Sequence, residues 1–241
     1  MIAQTMPLPK ALLLDLDETI LDAYGNPDAA WQPLCSEFAE RLGSVTQEAL
    51  HAAVIESREW VWSDPERARL ARHDLAETRR RVVRGAFARL DLTDTAVANS
   101  MADRFTAARE EAIKPFPGAI EALGKLREAG VRLALLTNGE ARRQRDKIAR
   151  FGLEPFFDHI QIEEEFGVGK PDERAFRHAL SVLGVEAEEA WMVGDSLEWD
   201  IEGAQGAGIH AIWVDAGGDG APEGSAIQPD RFIRTLSELV E

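Results

Sequence analysis

With 241 residues, 45% of them hydrophobic, the chain is long enough for one large domain or for a core domain carrying a smaller one. Its 43 acidic and 27 basic residues give a formal net charge of -16, which argues against general affinity for nucleic acid or an anionic membrane surface but not against a small anion held in a pocket beside a metal. The single cysteine, Cys35, excludes an intrachain disulfide and reads as a buried small side chain; with no signal pattern and no apolar run near the ~18 residues of a membrane span, a soluble, cytoplasmic protein is expected.

The first apolar run, Ala11–Leu16, is of strand length and leads into two carboxylates, Asp15 and Asp17, two positions apart and so on one side of the chain. Unpaired, they would repel; a divalent cation between them, or a proton on one, makes the pair tolerable and useful. Taken alone, the same pattern reads first as a cap on the strand and the following helix. Residues 22–114 then carry no convincing strand. Ser44 with Gln47 resembles a capping box, Asp64–Pro65 is a good helix start, and Asp74–Leu90 and Asp94–Ile113 keep helical periodicity. Pro115-Phe116-Pro117-Gly118 marks the return to the core. An all-helical insertion is therefore expected at 22–114, with 1–21 and 115–241 forming the core. Following the first strand directly, it is placed to act as a lid, because open parallel sheets bind ligands beyond the carboxyl ends of their strands. Within it Trp31, Trp60 and Trp62 read mostly as core, and of Arg79, Arg80, Arg81 and Arg84 at most one or two can face a common site.

Further strand-length runs follow at Val131–Leu136, Ile160–Ile162, Ala190–Val193 and Ala211–Val214. They alternate with amphipathic helices at Ala119–Ala129, Glu140–Phe151, Asp172–Leu183 and Asp200–Ala207, each stopped by a glycine. Strands alternating with helices predict parallel pairing with right-handed crossovers, hence an α/β, doubly wound, Rossmann-like sheet. The strand ends carry polar groups. Thr137-Asn138-Gly139 offers a hydroxyl and backbone N–H groups near a helix start, where a phosphate oxygen can bind. Gly167 to Asp172 presents Lys170 between residues that allow close approach. Val193-Gly194-Asp195-Ser196 presents Asp195, with Asp200 five residues on, and a hard cation such as magnesium favours such carboxylates. Singly, Thr137 also suits a helix cap and Lys170 a solvated loop.

In order, these four segments resemble the four motifs of the haloacid dehalogenase superfamily, in its phosphatase branch with a helical cap after the first strand. The resemblance runs from Ala11 to Glu241, the cap being matched only by position and helical character. It implies that Asp15 attacks phosphorus, that Asp17 acts as general acid and then base, and that Asp15, Asp195 and the main-chain carbonyl of Asp17 hold Mg2+. It further implies that Thr137 and the N–H of Asn138 bind phosphoryl oxygens, that Lys170 balances their charge, and that Asp200 orients Lys170 or metal-bound water. The implied activity is magnesium-dependent hydrolysis of phosphate monoesters of small metabolites, by a monomer or homodimer with neither nucleic acid nor membrane as partner. Relatives that displace halide lack a counterpart of Asp17, and those that cleave phosphonates need a cap lysine, of which residues 22–113 have none. A sugar phosphomutase, or a non-catalytic phosphate-binding protein, would share the core motifs. The stretch Gly194–Ile201 with Thr137–Gly139 is similar to the group containing N-acylneuraminate 9-phosphatases and pyrimidine 5'-nucleotidases, which implies a sugar phosphate or a nucleoside monophosphate.

Overall fold

The computed structural model describes residues 7–23, 25, 27–64, 66–67, 70–71, 74–218, 220–222 and 224–241. The chain divides into two compact units, one of Met1–Asp22 with Lys114–Glu241 and the other of Ala23–Ile113. β1 (Ala11–Leu14) is buried along its whole length. β2 (Leu21–Asp22) then pairs antiparallel with β3 (Lys114–Pro115), so the two crossings out of and back into the first unit are hydrogen-bonded neighbours.

Between those crossings lie α1 (Pro27–Leu42), α2 (Gln47–Trp62), α3 (Leu75–Arg89) and α4 (Thr95–Ala112). Their apolar faces share a core that includes Phe38, Leu50, Val83, Phe87 and Met101, and Trp31 stacks on Phe105 with ring centroids 3.6 Å apart. Cys35 is buried in this core, which pushes its thiol up to about 12. Two details depart from the sequence reading. The cap of α2 is Thr46, whose hydroxyl accepts from the Ala49 amide, and not Ser44 paired with Gln47. Gly43, at a φ of 66°, ends α1, and the chain needs the next residues to reverse before a new helix can start. Trp60 and Trp62 are 51% and 40% exposed, not core; the Arg67 guanidinium lies 4.2 Å over the Trp60 ring. Pro65 lies outside the described residues, though Asp64 accepts from the Arg67 amide as a helix-start residue would.

The first unit resumes with α5 (Ala119–Glu128), β4 (Arg132–Thr137), α6 (Ala141–Arg150), β5 (His159–Ile162), the short α7 (Glu163–Phe166), α8 (Glu173–Leu183) and β6 (Ala190–Gly194). A widened turn at Leu197–Glu202, α9 (Gly203–Gly206), β7 (His210–Val214) and β8 (Arg231–Ile233) complete it. The strands form one parallel sheet in the order β5-β4-β1-β6-β7-β8. This is the doubly wound order expected: the chain winds outward from β1 to β5, crosses back to β6 and winds outward again, which opens a crevice beyond the ends of β1 and β6. Both faces of the central strands are covered, so Leu12, Leu13, Leu135, Met192 and Val193 are all buried and no alternation is visible in the sequence.

The last predicted helix, Asp200–Ala207, is corrected to the widened turn followed by α9. Asp200 folds back to accept from the Ser196 amide at 2.9 Å, which reshapes the first turn. β8 was not anticipated; its three residues include Phe232, 69% exposed, so it has no apolar run to reveal it. No helix among the described residues is long and apolar enough to cross a membrane.

Candidate active site

The parallel sheet delivers its polar residues to one edge. The Asp15 amide continues the ladder of β1 by bonding the Val193 carbonyl at 3.0 Å, which fixes the base of the Asp15 side chain beside the end of β6. Thr137 closes β4 and is 3% exposed. Asp195 follows Gly194, and its carbonyl accepts a hydrogen bond from the indole Nε1 of Trp213 at 2.7 Å, anchoring that turn to β7.

Lys170 reaches the same place from the loop after α7. The Asn138 side chain clamps its main chain: Oδ1 accepts from the Lys170 amide at 2.8 Å and Nδ2 donates to the Lys170 carbonyl at 2.7 Å. Gly169 permits this approach, since a Cβ there would lie 2.6 Å from Asn138 Oδ1. The Lys170 ammonium, 3% exposed, donates to Asp15 Oδ1 and to Asp200 Oδ1, both at 2.6 Å. Asp200, 1% exposed, also accepts from the Ser196 amide, so both of its oxygens are engaged. Gly194 makes room for it: a Cβ there would stand 2.3 Å from the Asp200 carboxyl.

Carboxylate oxygens of Asp15, Asp195 and Asp200 all lie within 4.8 Å of one another. One ammonium against three acids leaves the cluster short of positive charge. Burial pushes Asp15 up to about 7, with Lys170 opposing and Asp200 and Asp17 adding to the rise. Burial, then repulsion from Asp15 and Asp200, pushes Asp195 up to about 8. Burial works against the Lys170 charge, but Asp15 and Asp200 outweigh it and raise its pKa. Such a set fits a hard divalent cation, which takes oxygen ligands and prefers carboxylates. Each Asp200 oxygen already accepts one hydrogen bond, from Lys170 and from the Ser196 amide. The hydrogen bonds of the turn after β1 run through the Leu16 carbonyl and the Glu18 amide to Leu21, and leave the Asp17 carbonyl out of them.

The sequence-predicted residues thus separate into two groups. Asp15, Lys170, Asp195 and Asp200 form one cluster, all buried except the partly exposed Asp195. The Asp17 carboxylate turns instead to α6, where Lys147 Nζ donates to its two oxygens at 2.6 and 2.5 Å and Gln144 Nε2 donates at 3.1 Å. Gln144 also bonds the Thr137 hydroxyl and the Asn138 carbonyl, joining the ends of β1 and β4. Sequence reasoning passed over Gln144 and Lys147; the available signal was their spacing of three on the helix that follows Thr137-Asn138-Gly139. It also passed over Glu163 and Glu164, which accept from the Gly139 amide at 2.9 Å and the Ala141 amide at 2.6 Å. They satisfy the start of α6, a natural place for negative charge.

Known proteins resemble the chain over much or all of its length. A phosphoserine phosphatase of Thermus thermophilus is 36% identical over 98% of this chain and 92% of its own length. A glyceraldehyde 3-phosphate phosphatase of Pyrococcus abyssi is 41% identical over 44% of each chain. The crystal structure of a hydrolase from Bacillus subtilis bound to magnesium superimposes with a TM-score of 0.71 at 28% identity, covering 97% of both chains. Residues 9–208 match the family model of haloacid dehalogenase-like hydrolases, a span that takes in β1 through α9 and every residue of the cluster, and it is to this family that the chain belongs.

Proposed function

We propose that the chain hydrolyses phosphate monoesters of small metabolites through a phospho-aspartyl intermediate on Asp15. The observation that carries this reading is the Lys170 ammonium lying 2.6 Å from both Asp15 and Asp200, with Asp195 adjoining. A nucleophilic carboxylate aimed at an anionic phosphoryl group needs nearby positive charge, and here a buried lysine supplies part of it. In the first step an Asp15 oxygen bonds to phosphorus as the ester P–O bond breaks, and protonated Asp17 gives its proton to the leaving oxygen. In the second, water adds to phosphorus, Asp17 takes a proton from it, and the Asp15–phosphorus bond breaks to release inorganic phosphate. Thr137 and the Asn138 amide bind phosphoryl oxygens throughout, while Lys170 balances their charge. A magnesium ion held by Asp15, Asp195 and the Asp17 carbonyl would supply further positive charge to the phosphoryl group and relieve the repulsion within the cluster.

The names of the relatives support a small phosphorylated substrate, and the insertion of the helical unit directly after the loop of Asp15 and Asp17 supports its service as a cap. Within that class we propose a sugar phosphate or nucleoside monophosphate. Asp17 argues against halide displacement, which has no leaving group for it to protonate. The test is phosphate release, with and without magnesium, from a panel holding sialic acid 9-phosphate, nucleoside monophosphates, phosphoserine, glyceraldehyde 3-phosphate, phosphoglycolate and hexose phosphates. Magnesium-dependent turnover, abolished by Asp15→Asn in a protein that still folds, is expected. An Asp15→Asn variant that retains activity would overturn the nucleophile, and conversion of a hexose phosphate to its isomer without phosphate release would identify a mutase.

A further inference from the structure

Lys147 and Gln144 stand on one face of α6, a turn apart, with their donors converging on the Asp17 carboxylate. Lys147 and Asp17 are 16% and 19% exposed at the side chain, so this ion pair is shielded on most sides. Gln144 is 3% exposed, and its amide nitrogen reaches Asp17, Thr137 and the Asn138 carbonyl together. The helix that presents them is itself anchored: Glu163 and Glu164 hold its first amides, Arg145 pairs with Glu165, and Ile148 is buried. Both oxygens of Asp17 therefore accept hydrogen bonds from donors on a fixed helix, which sets the plane and direction of the carboxylate. Neither Lys147 nor Gln144 belongs to the four strand-end segments that define the cluster.

We propose that Lys147, assisted by Gln144, is a positioning residue that orients the Asp17 carboxylate as the base for the second step, in which water attacks the phosphorylated Asp15. The proposal rests on the phosphatase reading above. Its kinetic signature is specific. Losing the orientation slows release of phosphate from the enzyme but leaves its phosphorylation by an aryl phosphate intact, because p-nitrophenolate leaves without a proton. The phospho-enzyme should then accumulate and be seen as a burst of product.

The experiment compares wild type, Lys147→Met and Lys147→Arg with p-nitrophenyl phosphate and magnesium, in steady state and in the first turnover. Thermal melts accompany the kinetics, and the methionine keeps most of the aliphatic stem. The expected result for Lys147→Met is a kcat lowered about 10- to 100-fold with KM lowered in parallel, kcat/KM within about threefold of wild type, and a burst approaching one product per enzyme. Lys147→Arg, which keeps the charge and two donors, should regain most of the kcat. Parallel losses of kcat and kcat/KM without a burst, or an unchanged kcat, would overturn the assignment while leaving the phosphatase reading intact. A wild-type enzyme inert toward this and every other phosphate monoester would instead remove the reading on which it rests.

Discussion

Replacing Lys170 with methionine should destabilise the protein in a way that reports directly on the carboxylate cluster. The ammonium is 3% exposed and bonds Asp15 and Asp200, themselves 10% and 1% exposed, at 2.6 Å. Removing one partner of a buried ion pair costs about 3–5 kcal/mol, because the remaining charge has neither water nor a counter-ion. At roughly 2–4 °C per kcal/mol for a chain of this size, the melting temperature in chelator at pH 8 should fall by on the order of 10 °C. The pH dependence fixes the cause. Burial already holds Asp15 and Asp195 above their ordinary range, at about 7 and about 8, and without Lys170 the Asp15 value rises further. A carboxyl whose folded pKa is raised keeps its full contribution below its unfolded pKa and loses it as pH climbs through the folded one. The deficit should therefore be smaller at pH 5 than at pH 8. Asp200→Asn on the Lys170→Met background removes one stranded charge and should recover part of the loss. Calorimetric or circular dichroism melts in chelator supply the measurement. A variant within about 2 °C of wild type at pH 8, or a deficit that grows toward pH 5, would refute the reasoning.

The same linkage predicts that metal-free wild type loses stability as pH rises from about 4 through 8, the window between the ordinary aspartate value and those of Asp15 and Asp195. Magnesium should therefore raise the melting temperature more at pH 8 than at pH 5, as titrated melts would establish. Gly194→Ala places a Cβ 2.3 Å from the Asp200 carboxyl, and should cost about 1–3 kcal/mol with a larger proportional loss of turnover. Melts and phosphate release read the two effects separately. Asn138→Ala removes both hydrogen bonds that hold the main chain at Lys170, and should cost about 1–3 kcal/mol and lower kcat more than it raises KM.

How much of this was legible in the sequence depended on distance along the chain. Ala11–Leu14 and Ala190–Gly194 announce themselves because both faces are buried and every position is apolar or small. Asp15 and Asp195 sit where those runs end, and Thr137 closes the similar run of β4, so a local reading finds them. Lys170 is different: its partners are 155 and 30 residues away, and only the order of all four segments gave it a role. Lys147 was hidden by its setting. The helix Ala141–Arg150 is so rich in charge that it reads as solvated, and nothing nearby in sequence marks Asp17, 130 residues earlier, as the acid it meets. Trp60 misled for the opposite reason, since bulk and spacing suggest burial where Arg67 instead covers an exposed ring. Caps were off by small shifts, as at Thr46, because several hydroxyls compete and backbone geometry chooses among them.

The pairing of Leu21–Asp22 with Lys114–Pro115 also bears on ancestry and engineering. Because departure and return occupy one short ribbon, everything between Asp22 and Lys114 spans no gap in the sheet protein, and a two-residue Asn-Gly turn could join the ribbon into a hairpin. The helices are in this sense a cassette: exchangeable for another module with adjoining termini, without re-threading a single strand. Chimeras spliced at this ribbon would leave every strand of the parallel sheet in its place.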